Sequence, residues 1–275
     1  MTKSADKLFD RYASDYDIAL ARGISISGEN KNYFARRRIE WLRDCLLHLS
    51  FPPRQVMDYG CGTGSSSPFI LETLAAEHLI GTDESRESLE IAMQSHKSER
   101  IQFLLIDAYQ PSEELDLVFC NGVFHHIPPA ERADATDYIF RSLRSGGLFA
   151  FWENNPWNPG TLYVISRTPF DRDAVPLTPP EARNLLQAGG FEVITRHPTT
   201  ESHVQPSTSE NVQGRALFRE AHRVVKWQGI DQVAEAQPPG AVSKGGDNQV
   251  GRRQHAVVRV VMLGEPCFVK AQPLG

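Results

Sequence analysis

Asp58, Gly60, Gly62 and Gly64 stand at alternate or near-alternate positions in VMDYGCGTGSSS, residues 56–67. Glycines spaced this way let a backbone turn sharply and approach a ligand without Cβ clashes. Between a strand and a helix, such a loop is suited to a nucleotide, and charge decides which one. No lysine follows, so the phosphate loop G-x-x-x-x-G-K-[ST] is not met. The dinucleotide pattern G-x-G-x-x-G has Ser65 where its third glycine belongs. Asp58 would repel a pyrophosphate held at contact distance. The expected ligand is therefore cationic and free of phosphate. Further polar residues close later apolar runs: Asp83 in HLIGTDES, Asp107 in IQFLLIDA and Asn121 in LDLVFCN, with His125 and His126 just beyond.

Strands and helices must position these groups. In residues 33–49, Ile39, Leu42, Leu46 and Leu49 form one helical stripe, which Pro52 and Pro53 end. QVMDYG is a strand, and SPFILETLAAEH a helix starting near Ser67 with Pro68 in its first turn. HLIGTDES, IQFLLIDA, LDLVFCN, LFAFWE and FEVITR continue as strands. SLEIAMQSH is a helix, and so is PPAERADATDYIFRSLRSGG, opened by Pro128 and Pro129 and closed by Gly146–Gly147. Over 178–190, Thr178 and Glu181 form a capping box, Pro179 takes the first helical position, and Gly189–Gly190 end the helix. Strands alternating with helices imply a parallel sheet covered on both faces. The predicted site residues then share the carboxyl edge of that sheet, where open α/β sheets bind ligands.

Composition narrows the classes. The 275 residues are 40% apolar, enough for a substantial core. No apolar run approaches the ~18–20 residues that span a bilayer. The stretch MTKSADKLFDRY lacks a signal-peptide core, so a cytoplasmic address is expected. Cys45, Cys61, Cys120 and Cys267 form no CxxC pair, which argues against a disulfide framework and a cysteine-bound zinc. Net charge is −5, concentrated before residue 201, so neither a nucleic acid nor a membrane is an expected partner.

In these motifs the chain resembles the class I S-adenosylmethionine-dependent methyltransferases, over about residues 9–196. Their first motif, an acid, one residue, then G-x-G-x-G, is met by Asp58, Gly60, Cys61, Gly62, Thr63 and Gly64. The resemblance implies S-adenosyl-L-methionine as cofactor, a ligand with a sulfonium, an amino group and no phosphate. It also implies that Asp83 binds both ribose hydroxyls, that Asp107 and Ala108 meet the adenine, and that Asn121 lines the methionine end. The implied fold is α/β, a Rossmann-like three-layer sandwich with a mostly parallel seven-stranded sheet and an antiparallel last strand. That strand must come from HAVVRVVML, at 255–263.

Methyl transfer from a sulfonium is a direct displacement, and positioning alone can supply ~7–11 kcal/mol of its barrier. His126 is read as base or acceptor anchor, with His125 beside it. No metal is expected there: adjacent side chains should diverge, and no third ligand is evident. ENNPWNPGTLYVISRTPFDRDAVP reads as a long loop lining the acceptor pocket, with Trp157 as an apolar wall. The N-P-P-Y signature of many amino-group methyltransferases is absent after the fourth strand, which leaves oxygen, carbon and small-amine acceptors open.

Three segments are expected: an N-terminal lid and packing helices at 1–54, the cofactor-binding core at 55–200, and an atypical, poorly ordered tail at 201–275. In the first, Phe9, Tyr12 and Tyr16 are spaced to cover the cofactor. The leading reading is methyl transfer to a small-molecule acceptor, through oxygen. RNA or protein methylation, or a non-catalytic S-adenosylmethionine binder, are the alternatives.

Overall fold

Each apolar run becomes a strand, because β-branched and aromatic side chains at period two can bury on both sides of a sheet. The computed structural model describes residues 31–195 and 258–264. Helix α1 (Lys31–His48) precedes β1 (Gln55–Tyr59), α2 (Ser67–Thr73), β2 (His78–Asp83), α3 (Arg86–Ser95) and β3 (Ile101–Leu105). Then come β4 (Leu115–Asn121), α4 (Arg132–Ser142), β5 (Leu143–Glu153), α5 (Pro159–Arg167), α6 (Pro179–Ala188), β6 (Phe191–Thr195) and β7 (Val258–Gly264).

The sheet has seven strands in the order β3-β2-β1-β4-β5-β7-β6. The order reverses between β1 and β4, which is the topological switch point. Alternation along each strand divides the core into two layers. Met57, Tyr59, Val118, Cys120, Phe149 and Phe151 face one layer, together with Ile139 of α4 and Leu186 of α6. Val56, Leu117, Phe119, Leu148, Ala150 and Trp152 face the other, against Ile39, Leu42 and Leu46 of α1 and Ile70 of α2. The predicted stripe on α1 is therefore the face that meets the sheet.

The chain departs from the expected elements in four places. Helix α4 begins at Arg132, because Pro128–Glu131 is spent on a turn closed by Glu131 N–H donating to the Pro128 carbonyl (2.8 Å). It ends at Ser142, because Leu143 is already buried and pairs with Leu115. The expected loop at 153–176 holds α5 and a 3-10 turn over Pro169–Asp171. Pro159, at the first helical position, suits that start.

The last difference is in strand direction. β7 lies between β5 and β6 and runs parallel to both. The expected antiparallel direction is corrected. Alternating side chains read the same in either direction, so the residues of a strand do not encode its sense. Residues 196–257 separate β6 from β7, well beyond the dozen or so that a crossover needs. The aromatic stretch near residue 9 and the tail segment 201–250 lie outside the described residues.

At the amino edge of the sheet, one carboxylate ties three segments. Asp116 accepts from the backbone N–H of Arg54 (2.7 Å) and Gln55 (2.8 Å), and from Arg144. Burial pushes its carboxyl up, but the Gln55 N–H and the Arg144 guanidinium outweigh this and hold it below the usual carboxylate range. Asp116→Ala strands two backbone donors and is expected to lower the unfolding free energy by ~2–4 kcal/mol in urea titrations, with Asp116→Asn losing less. A lowered carboxyl stabilises the fold above its unfolded value, and that contribution is lost as pH falls through the folded value. The stability difference between the unmutated chain and Asp116→Asn should therefore shrink in acid.

Candidate cofactor and acceptor site

The glycine loop leaves the end of β1 and is held almost wholly by its own neighbours. Gly60 and Cys61 N–H both donate to the Thr82 carbonyl (2.8 and 3.0 Å), Gly62 N–H to Asp83 Oδ2 (2.8 Å), and Gly64 N–H to the Cys61 carbonyl (2.9 Å). Loop amides aimed outward would make an anion nest. Here all four are engaged within the protein, so a phosphate would have to displace them. Gly60 has φ +70°, and a Cβ there would meet Val123 Cγ2 at 2.4 Å. That glycine lets the loop after β4 close over the loop after β1.

Beneath the loop, Asp58 is buried, and Ser67 Oγ donates to its Oδ2 (2.7 Å). Burial raises its carboxyl to about 7; the Ser67 hydroxyl opposes this and the Asp83 charge adds to it. Asp58 is thus only partly ionised at neutral pH without a ligand, where the sequence reading treats it as a standing charge. Asp83 carries the loop at its other side, with Oδ1 accepting from Ser85 N–H (2.9 Å). Helix α3 is capped instead by Ser85, whose hydroxyl accepts from Ser88 N–H (3.1 Å). Two backbone bonds leave the Asp83 carboxylate with capacity for further hydroxyl donors.

Strand register gathers the remaining predicted residues. Asp83 pairs with Leu105, two residues before Asp107. Asp107 and Ala108 are exposed in a 3-10 turn over Ile106–Ala108, whose Ile106 carbonyl accepts from Tyr138 Oη (3.0 Å). Asn121 ends β4 next to the loop and accepts from Arg38 Nη1 (3.1 Å). Arg38 also lies over the Trp152 ring, 5.3 Å from its centroid. Cys61 is the outlier among the predicted cofactor residues. Its thiol is half-buried and raised well above its ordinary value, first by desolvation and then by Asp58 and Asp83.

A second cluster is built on the turn after β4. Phe124 is fully buried and packs edge-on against Phe151, 5.1 Å between centroids. Glu153, at the end of β5, accepts from the N–H of Val123 (2.8 Å) and Phe124 (2.7 Å), and its Oε2 lies 2.7 Å from His125 Nδ1. His125 Nε2 is 3.6 Å, and His126 Nε2 3.2 Å, from Asp171 Oδ1. Arg132 binds the carbonyls of Phe124, Ile127 and Val175, which stitches the histidine turn to the segment after Asp171.

Electrostatics in this cluster follow from burial opposed by charge. Burial disfavours protonated His125, but Glu153 and Asp171 prevail and raise it to about 9. Burial lowers His126, with the Asp171 contact opposing it and the His125 charge reinforcing it. Glu153 and Asp171 would be raised by burial, yet their histidine partners hold both below the usual range.

Two grounds for excluding a metal are therefore corrected. The adjacent rings converge, with centroids 4.0 Å apart, and Asp171 is a third candidate ligand. The turn explains the convergence. His126 N–H donates to Val123 O and Ile127 N–H to Phe124 O, so successive side chains do not point to opposite faces as on a strand. Trp157 is more than half exposed, and its backbone N–H donates to Asn155 Oδ1 (3.0 Å). Sequence reasoning singled out neither Arg38 nor Ser67, and did not pair Glu153 and Asp171 with the histidines. The partners are far apart in the chain, and no short motif signals them.

A methyltransferase domain profile matches residues 56–147. Trans-aconitate 2-methyltransferase of Rhizobium etli is 31% identical over 187 residues, which covers 62% of this chain and 72% of that protein. The same enzyme of Azoarcus sp. is 28% identical over 139 residues, covering 50% and 53%. The chain thus spans about half the length of the Azoarcus relative. A solved Haloferax volcanii complex of a methyltransferase activator and a methyltransferase shares the fold, with a TM-score of 0.50, 20% identity, and coverage of 72% of this chain and 83% of that one. The chain belongs to the class I S-adenosylmethionine-dependent methyltransferases. Among the described residues, no helix is long and apolar enough to cross a membrane.

Two measurements probe the site. Asp83→Ala frees the Gly62 N–H and is expected to weaken S-adenosylhomocysteine binding at least about tenfold by calorimetry. Because burial raises the Asp58 carboxyl, it ionises only as pH climbs through about 7. Affinity for the cationic donor should therefore rise between about pH 6 and pH 8, and Asp58→Asn should flatten that rise.

Proposed function

We propose that this chain transfers the methyl group of S-adenosyl-L-methionine to an oxygen of a small-molecule acceptor. One observation carries the cofactor half of this reading. The amides of Gly60, Cys61, Gly62 and Gly64 all donate within the protein, beside the carboxylates of Asp58 and Asp83. Such a loop suits a phosphate-free, positively charged nucleoside better than NAD. In this reading Asp83 takes the ribose hydroxyls, Asp107 and Ala108 the adenine edge, and Asn121 the methionine end. Asp58 acts from beneath the loop as a charge that ionises when the cation arrives. Residues 1–54 supply the lid and packing helices, 55–200 the core, and 201–275 an atypical tail.

The acceptor half rests on the two relatives named trans-aconitate 2-methyltransferase. They support an acid as acceptor, and so a carboxylate oxygen. An oxygen lone pair attacks the methyl carbon, the C–O bond forms as the C–S bond breaks, and the electron pair stays on sulfur. The sulfonium becomes a neutral thioether. A carboxylate acceptor releases no proton, so alignment is the main demand on the protein. His126, half-buried beside Asp171, anchors the acceptor, with His125 held behind it.

The test is methyl transfer from labelled donor to a panel of di- and tricarboxylic acids, hydroxy acids, amines and RNA. Ester formation on an acid, with His126→Ala at least about tenfold slower while S-adenosylhomocysteine binding stays within about twofold, is the expected result. Tight NAD binding, or transfer to RNA alone, would overturn the reading.

A further inference from the structure

Resting on the methyl-transfer reading, we propose that His125, His126 and Asp171 form a site for one first-row divalent cation beside the acceptor pocket. Three donors come from two parts of the chain. The turn after β4 brings both imidazoles, and the 3-10 turn over Pro169–Asp171 brings the carboxylate. One ligand atom from each lies within 4.8 Å of the other two.

The spacing from the carboxylate to each imidazole is compatible with coordination. Ion–donor bonds of about 2.0–2.2 Å set donors roughly 3.3–3.5 Å apart around a tetrahedral ion. Asp171 Oδ1 stands 3.2 Å from His126 Nε2 and 3.6 Å from His125 Nε2. The second distance is too long for a good hydrogen bond. Both edges bracket the coordination value.

The surroundings also match a ligand set. Glu153 Oε2 sits 2.7 Å from His125 Nδ1. A carboxylate that accepts a hydrogen bond from one ring N–H leaves the other nitrogen free to face a metal, and this is the usual partner of a metal-bound histidine. The same Glu153 carboxylate holds the turn by its Val123 and Phe124 N–H groups, so the ring is fixed in both tautomer and direction. Arg132 fixes the opposite side through the Val175 carbonyl, close after Asp171. The Asn154 side-chain amide nitrogen lies 3.5 Å from His125 Nε2, at the edge of the cluster. Two imidazoles and one carboxylate suit zinc, iron, manganese or cobalt more than calcium or magnesium. Three protein ligands leave open positions, and a cation there would hold one oxygen of a carboxylate acceptor and so orient its other oxygen toward the methyl group.

The test uses the full chain, stripped with chelator and dialysed, then titrated with Co²⁺ and back-titrated with Zn²⁺. The expected result is a visible ligand-field band that saturates at one equivalent and is displaced by zinc. His126→Ala and Asp171→Asn should each weaken cobalt binding at least about tenfold, while S-adenosylhomocysteine binding stays within about twofold. No saturable cobalt binding by a chain that binds S-adenosylhomocysteine overturns the proposal, and the cluster is then a proton-filled network. Cobalt bound equally well by both variants overturns it too. A chain that takes cobalt but no S-adenosylhomocysteine keeps the cation site and loses the methyl-transfer reading.

Discussion

The carboxyl edge of this sheet depends on buried carboxylates that satisfy backbone amides. Where strands end, the chain must turn, and the turn leaves N–H groups without a ladder partner. Each such group is costly to bury alone, by about 1–3 kcal/mol. Glu153 takes the amides of Val123 and Phe124, and Asp83 takes those of Gly62 and Ser85. Because a carboxylate has about four acceptor positions and no donor, one side chain can hold two amides and still face a ligand. Asp116 applies the same solution at the opposite edge, on the amides of Arg54 and Gln55.

This use of charge links folding to chemistry. The acids that pin the loops gather at the carboxyl edge of the sheet, where open α/β sheets bind ligands. Their placement concentrates negative charge in a water-poor crevice, which disfavours an anionic ligand and favours a cation. The two halves of the crevice respond differently. Asp58 is raised by burial, because its main partner is a neutral hydroxyl. Glu153 and Asp171 are lowered despite burial, because histidines lie against them. One half therefore gains its charge with a ligand, and the other carries charge already.

Packing sets the precision of this arrangement. Phe124 plugs the aromatic layer formed by Phe149 and Phe151, so the turn that bears both histidines begins from a fully buried residue. On the other face, Trp41 and Trp152 meet edge to face, 5.9 Å between centroids, and Arg38 of α1 reaches over Trp152 to Asn121. Helix α1 thereby reaches the carboxyl end of β4 through Arg38, although its own sequence reads only as an amphipathic packing helix.

Local rules made much of this legible. Short apolar runs located β1 to β6, the capping box located α6, and the spacing of Asp58, Gly60, Gly62 and Gly64 pointed to a ligand-binding turn between β1 and α2. These features act between residues close in the chain, so residue type and spacing suffice. The parallel sense of β7 was not legible, because side-chain alternation is blind to direction and the connection before it is long. Nor was the convergence of His125, His126 and Asp171 with Glu153. Those contacts join segments that the sheet brings together only once it has formed, so their chemistry is a property of tertiary packing.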